Sequence, residues 1–232
     1  MYMEKRIQKL ILLCTVLAAA ATGTAQTPSV IEHIRIPLWA ETDAYPELAE
    51  AQNTSAGVYD YPVKRLRMIA PFLITGMVNG WNFTYTPSDK LRGVTDFFDF
   101  SYIQPLGNSE KDISYTDSWI QDGKFNCWVE FTRTQQMLRN YELWASINNP
   151  VISGKGYGKI ENGFDGIIDA SKEALKDAVR SYFRGRIKDK PKEITGKVLI
   201  KNQPSIGIDA GRYIVQLDFF LETDRIIPYT QY

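Results

Sequence analysis

The sequence predicts an α+β fold in which antiparallel sheets, built from hairpins, pack against a long amphipathic helix. Residues from about 164 to 188 return an apolar side chain every three or four positions, with charged residues on the other side. A second run, from about 62 to 79, has the same helical period. Several other segments show the apolar and polar alternation that is typical of half-buried strands.

The first 25 residues have the organisation of an export signal. Three basic residues open the segment: Lys5, Arg6 and Lys9. An apolar run at 10–21 follows, and small residues at 23–25 provide a cleavage site. Because a membrane span needs about 20 apolar residues, this run is too short to serve as one. We therefore expect residues 1–25 to be a signal peptide that is removed, leaving one α+β domain at 26–232 without a membrane span.

The charge balance argues against nucleic acid as a partner. The chain has 27 basic and 27 acidic residues, and residues 1–25 hold three of the former and one of the latter, so 24 and 26 remain. Such a domain lacks the excess of positive charge that nucleic acid binding needs. Of the two cysteines, Cys14 belongs to the expected signal. Cys127 then has no partner for an internal disulfide, and its apolar neighbours predict a buried thiol.

The first elements of the mature domain are a strand and a helix. The strand is predicted at about 30–39, and Pro37 restricts it to a sheet edge. The polar stretch at 40–57 predicts a loop or a short helix that covers other elements. In the helix at about 62–79, Pro71 predicts a kink or a division into two shorter helices.

The strand predicted at 81–85 places its three aromatic side chains on one face. We expect this face to be buried against the helix at 62–79, although it could instead be an aromatic strip for a partner. Residues 86–89 have the pattern of a capping box, which predicts a short helix before a strand at 98–102.

The following region predicts a loop and then most of the remaining strands. Residues 107–123 are polar and predict a loop, whereas 125–133 and 141–147 alternate and predict an antiparallel hairpin. Residues 197–201 and 212–222 predict the last strands.

The order of the elements also permits a division into two halves. Each half, about 30–105 and 124–222, has a helix followed by two strands. A duplication would explain this order, but the halves share no residue-level identity, so chance alternation is the simpler explanation.

The predicted hairpin carries the first candidate site. Four side chains are expected to share its second face: Trp128, Glu130, Glu142 and Trp144. Indole rings can stack on sugars, and two neighbouring carboxylates can divide the acid and nucleophile roles of a glycosidase. The alternative is structural, because tryptophans on such a face are commonly covered and glutamates are commonly solvated.

The end of the long helix carries the second candidate site, a basic patch. Its members are Arg184, Arg186, Lys188, Lys190 and Lys192. The helix dipole alone favours cations at this end. The functional alternative is peripheral contact with an anionic envelope polymer or with lipid headgroups.

Two further groups of residues give weaker indications. His33 is the sole histidine and lies near the expected new N-terminus, which does not support a catalytic triad or a zinc cluster. The glycines at 154, 156 and 158 do not match the common phosphate-binding loops, so they predict a flexible or bulged strand. No cofactor or metal is expected.

These observations predict a bacterial structural or adaptor protein without catalytic activity. The export signal predicts a location in the periplasm or at the periphery of the outer membrane, and the partner is expected to be another envelope protein. The alternative hypothesis is a carbohydrate-binding module or glycoside hydrolase that uses the hairpin face.

Overall fold

The computed structural model describes residues 31–42, 59–146 and 148–229. The predicted signal peptide and most of the predicted covering segment at 40–57 lie outside these residues. The strands are β1 His33–Glu41, β2 Trp81–Thr86, β3 Phe97–Tyr102, β4 Ser114–Gln121, β5 Lys124–Thr132, β6 Val151–Lys159, β7 Glu193–Ile200, β8 Ser205–Asp209 and β9 Arg212–Ile227. The α helices are α1 Asp60–Val78, α2 Gln135–Trp144 and α3 Phe164–Arg184. The predicted α+β class is confirmed.

The smaller of two antiparallel sheets has the strand order β1-β5-β4. Its inner face is apolar because alternate residues of β1 and β5, such as Ile36 and Val129, point the same way and are 2% and 0% exposed. This face packs against α1. The predicted first strand and the predicted strand at 125–133 are therefore both present, but they pair with each other.

The larger sheet has the strand order β3-β2-β7-β9-β6, and β8 also pairs with β9. The long strand β9 organises it: its first part pairs with β6 and β8, and its second part pairs with β7. The aromatic residues of β2 are buried as expected, and the Trp81 ring stacks on Phe72 of α1 with 5.1 Å between centroids. Strands from both predicted halves meet in this sheet, since β2 pairs with β7.

Helix α3 lies unusually close to β6 because both surfaces carry small residues. A Cβ atom added to Gly156 would lie 2.1 Å from the carbonyl oxygen of Ala170. Gly154 and Gly158 make equally close approaches to α3. Strand β6 nevertheless keeps a continuous register with β9, so the expected bulge is absent from this strand. The glycines serve close packing.

The two flanks of α3 contact the two ends of the larger sheet. On one flank, Glu173 accepts a hydrogen bond from the Tyr157 backbone N–H of β6 at 2.9 Å. On the other flank, Lys172 forms an ion pair with Asp99 of β3 at 3.0 Å. Because β3 and β6 are opposite ends of the strand order, the sheet must curve around the helix. The Glu173 carboxylate also covers part of the free edge of β6, to which no other strand of the described residues pairs.

The predicted helix boundaries need two corrections. Helix α3 ends at Arg184, not near 188, and residues 185–192 connect it to β7. Gly185 follows the last helical residue with a φ of −89° and a ψ of −8°, so the helix ends without a left-handed glycine cap. Helix α1 continues through Pro71 as one element, so the division into two shorter helices is wrong.

Three local predictions between 86 and 147 are also wrong. Residues 135–144 form α2 and not the second strand of a hairpin, because Thr134 caps the helix by accepting a hydrogen bond from the Met137 N–H at 3.3 Å. Strand β4 occupies residues 114–121, nearly half of the predicted polar loop at 107–123. Residues 87–96 form turns with one short bridge, Asp89 to Val94, instead of a helix.

Candidate functional site

The structure does not assemble the predicted carbohydrate face. Trp128 and Glu130 lie on β5, whereas Glu142 and Trp144 lie on α2. The Trp144 side chain is 6% exposed and packs with Leu199 and Phe220 on the larger sheet. Residues 135–144 are helical and not a strand, so the four residues do not share one face. The predicted pair of neighbouring carboxylates, Glu130 and Glu142, therefore does not form.

Arg35 occupies the surface on which a sugar was expected to stack. Its guanidinium lies over the Trp128 ring, 4.4 Å from the centroid, and its Nε atom is 3.0 Å from a carboxylate oxygen of Glu130. The Trp128 face and the Glu130 charge are therefore already engaged within the smaller sheet.

The basic patch, in contrast, lies entirely on the surface. All five of its members are exposed, and four of them follow the end of α3 in the connection to β7. This connection lines a cleft of about 920 Å³, whose second wall is the loop at 88–92, and Ile226, Pro228 and Tyr229 complete the lining. Sequence analysis missed this second wall, which contributes Lys90 and Arg92. We call the whole feature the basic cleft.

Positive charge dominates the basic cleft. Its basic residues are Lys90, Arg92, Arg186, Lys188 and Lys190, and its acidic residues are Asp89 and Asp189. The Asp89 carboxylate is already paired, since its Oδ2 atom lies 2.5 Å from a guanidinium nitrogen of Arg92. This hydrogen bond holds the pKa of Asp89 below its usual value, so Asp89 stays ionised and neutralises one of the five cations.

Hydrogen bonds that the Asp89 carboxylate accepts also shape the tip of the 88–92 loop. The Oδ1 atom accepts from the backbone N–H of Leu91 at 3.0 Å and of Arg92 at 3.4 Å. This turn directs the Leu91 side chain into solvent, where it is 98% exposed. On the facing connection, Lys190 donates to the Ser88 carbonyl oxygen at 2.8 Å and ties the two walls together.

Two potentially reactive residues, Cys127 and His33, lie outside the basic cleft. Cys127 is 3% exposed, and burial raises the pKa of its thiol to about 11, so the thiol stays protonated at neutral pH. His33 contacts Thr132 through its Nδ1 atom at 3.3 Å. Within the described ranges, no group of three or more histidine, cysteine or acidic side chains could hold a metal ion.

The described part of the chain contains no helix that is both long enough and apolar enough to cross a membrane.

The fold and the cleft define a mixed α+β domain with a basic surface at one end of its long helix. The chain belongs to an uncharacterised protein family, whose model matches residues 20–229. An uncharacterised protein of Treponema pallidum (strain Nichols) is similar to it, with 28% identity over 207 residues that cover 88% of this chain and 86% of the relative. No solved structure matches the chain.

Proposed function

We propose that this protein is an exported envelope protein of a structural or adaptor type, which attaches to an anionic membrane surface through the basic cleft. The observation that carries the proposal is Leu91, which is 98% exposed at a loop tip between Lys90 and Arg92. An apolar side chain at the centre of a positive surface suits the boundary between lipid headgroups and acyl chains.

The loop tip is prepared for insertion before it meets a membrane. Asp89 fixes the turn through its hydrogen bonds to the backbone of Leu91 and Arg92. Little conformational entropy is therefore lost when Leu91 enters the lipid. Burial of a leucine side chain contributes about 1.5–3 kcal/mol, which is too little to hold a protein on a membrane alone.

The basic residues supply the second part of the attraction. Each cation near an anionic leaflet contributes about 1 kcal/mol. Arg92 forms an ion pair with Asp89, so four basic residues of the cleft remain unpaired with that acid. Asp189 is the other acidic residue of the cleft. Leu91 and these charges together provide the two signals that stable peripheral binding requires. Because the charges are exposed, salt should weaken the attachment.

The proposal assigns the protein a role in binding. None of the residues that line the basic cleft belongs to the smaller sheet, and the proposed partner is another envelope protein. The export signal expected at 1–25 supports a location in the periplasm or at the outer membrane periphery. The carbohydrate alternative has no support from the geometry, because Trp144 is buried and Arg35 covers Trp128.

The test is cosedimentation of the mature protein with vesicles of phosphatidylcholine alone and of phosphatidylcholine mixed with phosphatidylglycerol. We expect binding only to the anionic vesicles, and weaker binding as the NaCl concentration rises from 0.05 to 0.5 M. Leu91→Ser should lower the partition coefficient about tenfold or more, since a substantial part of the leucine contribution is lost. The matched control is Leu143→Ser on α2, because Leu143 is 71% exposed but lies outside the cleft.

A double substitution tests the charges separately. Arg186→Gln combined with Lys188→Gln should weaken binding by about tenfold to thirtyfold at low salt, whereas Lys111→Gln, outside the cleft, should change it little. Equal binding of wild type and Leu91→Ser, or equal binding to neutral and anionic vesicles, would contradict the proposal.

A further inference from the structure

Arg65, on α1, is a buried cation with few partners. The residue is 7% exposed, and one guanidinium nitrogen donates to the Tyr61 hydroxyl at 2.9 Å. Its Nε atom is buried without a hydrogen-bond partner, and no carboxylate of the described residues lies within ion-pair distance. Glu41, at the end of β1, accepts a hydrogen bond from the Tyr213 hydroxyl at 2.6 Å. A buried guanidinium normally requires an anion.

The guanidinium of Arg65 lies against the N-terminus of α3. This helix begins at Phe164, and the preceding Gly163 makes no side-chain cap. The Arg65 guanidinium packs directly on the Gly163 Cα, and Gly163 has a left-handed φ of 57°, which favours glycine at this position. The backbone N–H groups in the first turn have no partner within the helix, and they carry the positive end of its dipole.

Two positive features therefore meet at one point, an arrangement that is unfavourable unless an anion lies between them. An oxyanion would accept hydrogen bonds from the guanidinium and from the first N–H groups of α3 at the same time. We propose that Arg65 and the N-terminus of α3 form a binding site for a small molecule that carries a carboxylate or phosphate group.

A pocket of about 230 Å³ opens at this point. Lys64 lines it beside Arg65 and adds a second cation, and Asn162 adds a side-chain amide. Asp165 also lines it and offsets part of this charge, which favours a ligand with one acidic group over a polyanion. The Phe164 ring supplies an apolar wall for the rest of a small ligand, whereas the Tyr61 ring lies under the Arg65 guanidinium, 5.4 Å from its centroid.

This site is independent of the proposed membrane attachment. It lies at the start of α3, whereas the basic cleft lies beyond the end of the same helix. A helix of 21 residues separates the two by about 30 Å. Failure of either proposal would leave the other unaffected.

The test is isothermal titration calorimetry of the mature protein with inorganic phosphate, methyl phosphate, acetate and benzoate, against NaCl of the same ionic strength. We expect saturable binding with one site per chain for at least one of the four probes. The phosphate and carboxylate arms distinguish the two acid groups. Arg65→Gln should weaken the binding at least tenfold, because it removes the charge while leaving a polar side chain.

Lys64→Gln is the second variant, since Lys64 is exposed and its replacement does not threaten folding. It should weaken binding a few fold, whereas Arg186→Gln in the basic cleft should leave the affinity unchanged. Backbone amide shifts in NMR spectra should appear at Phe164 and Asp165 when the binding probe is added. The proposal would be overturned if no probe saturates, if Lys64→Gln and Arg65→Gln bind like wild type, or if the shifts lie only at residues 186–191.

Discussion

Substitution of Gly156 by alanine tests the close contact between α3 and β6. The added Cβ would lie 2.1 Å from the Ala170 carbonyl oxygen and 2.3 Å from the Ala174 nitrogen. Ordinary contacts of this kind are 3.4–4 Å. Both atoms that the Cβ meets belong to the helix backbone, so rotation of a side chain cannot relieve the contact. The whole helix must move away from the strand.

The expected loss of stability follows from that movement. Overpacking of a well-packed core destabilises by about 1–3 kcal/mol, and a contact with backbone atoms belongs at the upper end of this range. Displacement of α3 would also loosen the packing of its other small residues against Gly154 and Gly158. We therefore expect Gly156→Ala to lower the free energy of unfolding by about 3 kcal/mol or more, which corresponds to roughly 6–12 °C in Tm for a domain of this size.

Urea unfolding followed by circular dichroism measures this effect, and Gly185→Ala is the matched control. Gly185 has a φ of −89°, and a Cβ there meets nothing within 4 Å. Alanine at this position should stabilise by about 0.4–1 kcal/mol, because it restricts the unfolded chain. The two substitutions are therefore expected to change the free energy of unfolding in opposite directions. If the free energy of unfolding of Gly156→Ala lies within about 0.5 kcal/mol of the wild-type value, α3 does not pack against β6 at backbone contact distance.

Two further predictions concern buried polar groups. Because burial raises the pKa of Cys127 to about 11, iodoacetamide should alkylate this thiol at pH 8 only after the protein unfolds. The same shift in pKa should make the fold less stable as the pH rises from about 9 to about 11. Rapid labelling of the native protein would contradict both predictions. Arg133 donates to the Met77 carbonyl oxygen at 3.0 Å and to that of Ile31, so Arg133→Met should lower the free energy of unfolding by about 2–4 kcal/mol in the same urea assay. Arg139→Met, at an exposed position of α2, should stay close to wild type.

Local periodicity was sufficient to predict several elements. The long helix, the aromatic strand β2 and the last strand β9 each repeat over many residues, and such repeats depend on neighbours along the chain. Helix α2 was missed although its signal was present. Met137, Tyr141 and Trp144 recur at helical spacing after Thr134, but the short stretch at 141–147 also alternates, and a pattern of this length does not separate helix from strand.

The candidate sites also differ in how much of each could be predicted from neighbouring residues in the sequence. The basic patch could be predicted because its members follow one another in the sequence. The wall formed by Lys90, Leu91 and Arg92 could not, since almost a hundred residues separate it from the patch. Arg65 and Gly163 are a similar distance apart, and neither residue alone suggests an anion site.

The sequence by itself determined the α+β class, the helical and strand periods, and the expectation of an export signal, because each of these depends on residues that are neighbours in the chain. The tertiary structure alone decided that β5 pairs with β1 and β4, that the glycines of β6 admit the backbone of α3, and that Trp144 is covered while Leu91 is exposed. Pairing, close approach and exposure depend on which distant segments meet, and the period of a segment does not specify its partner.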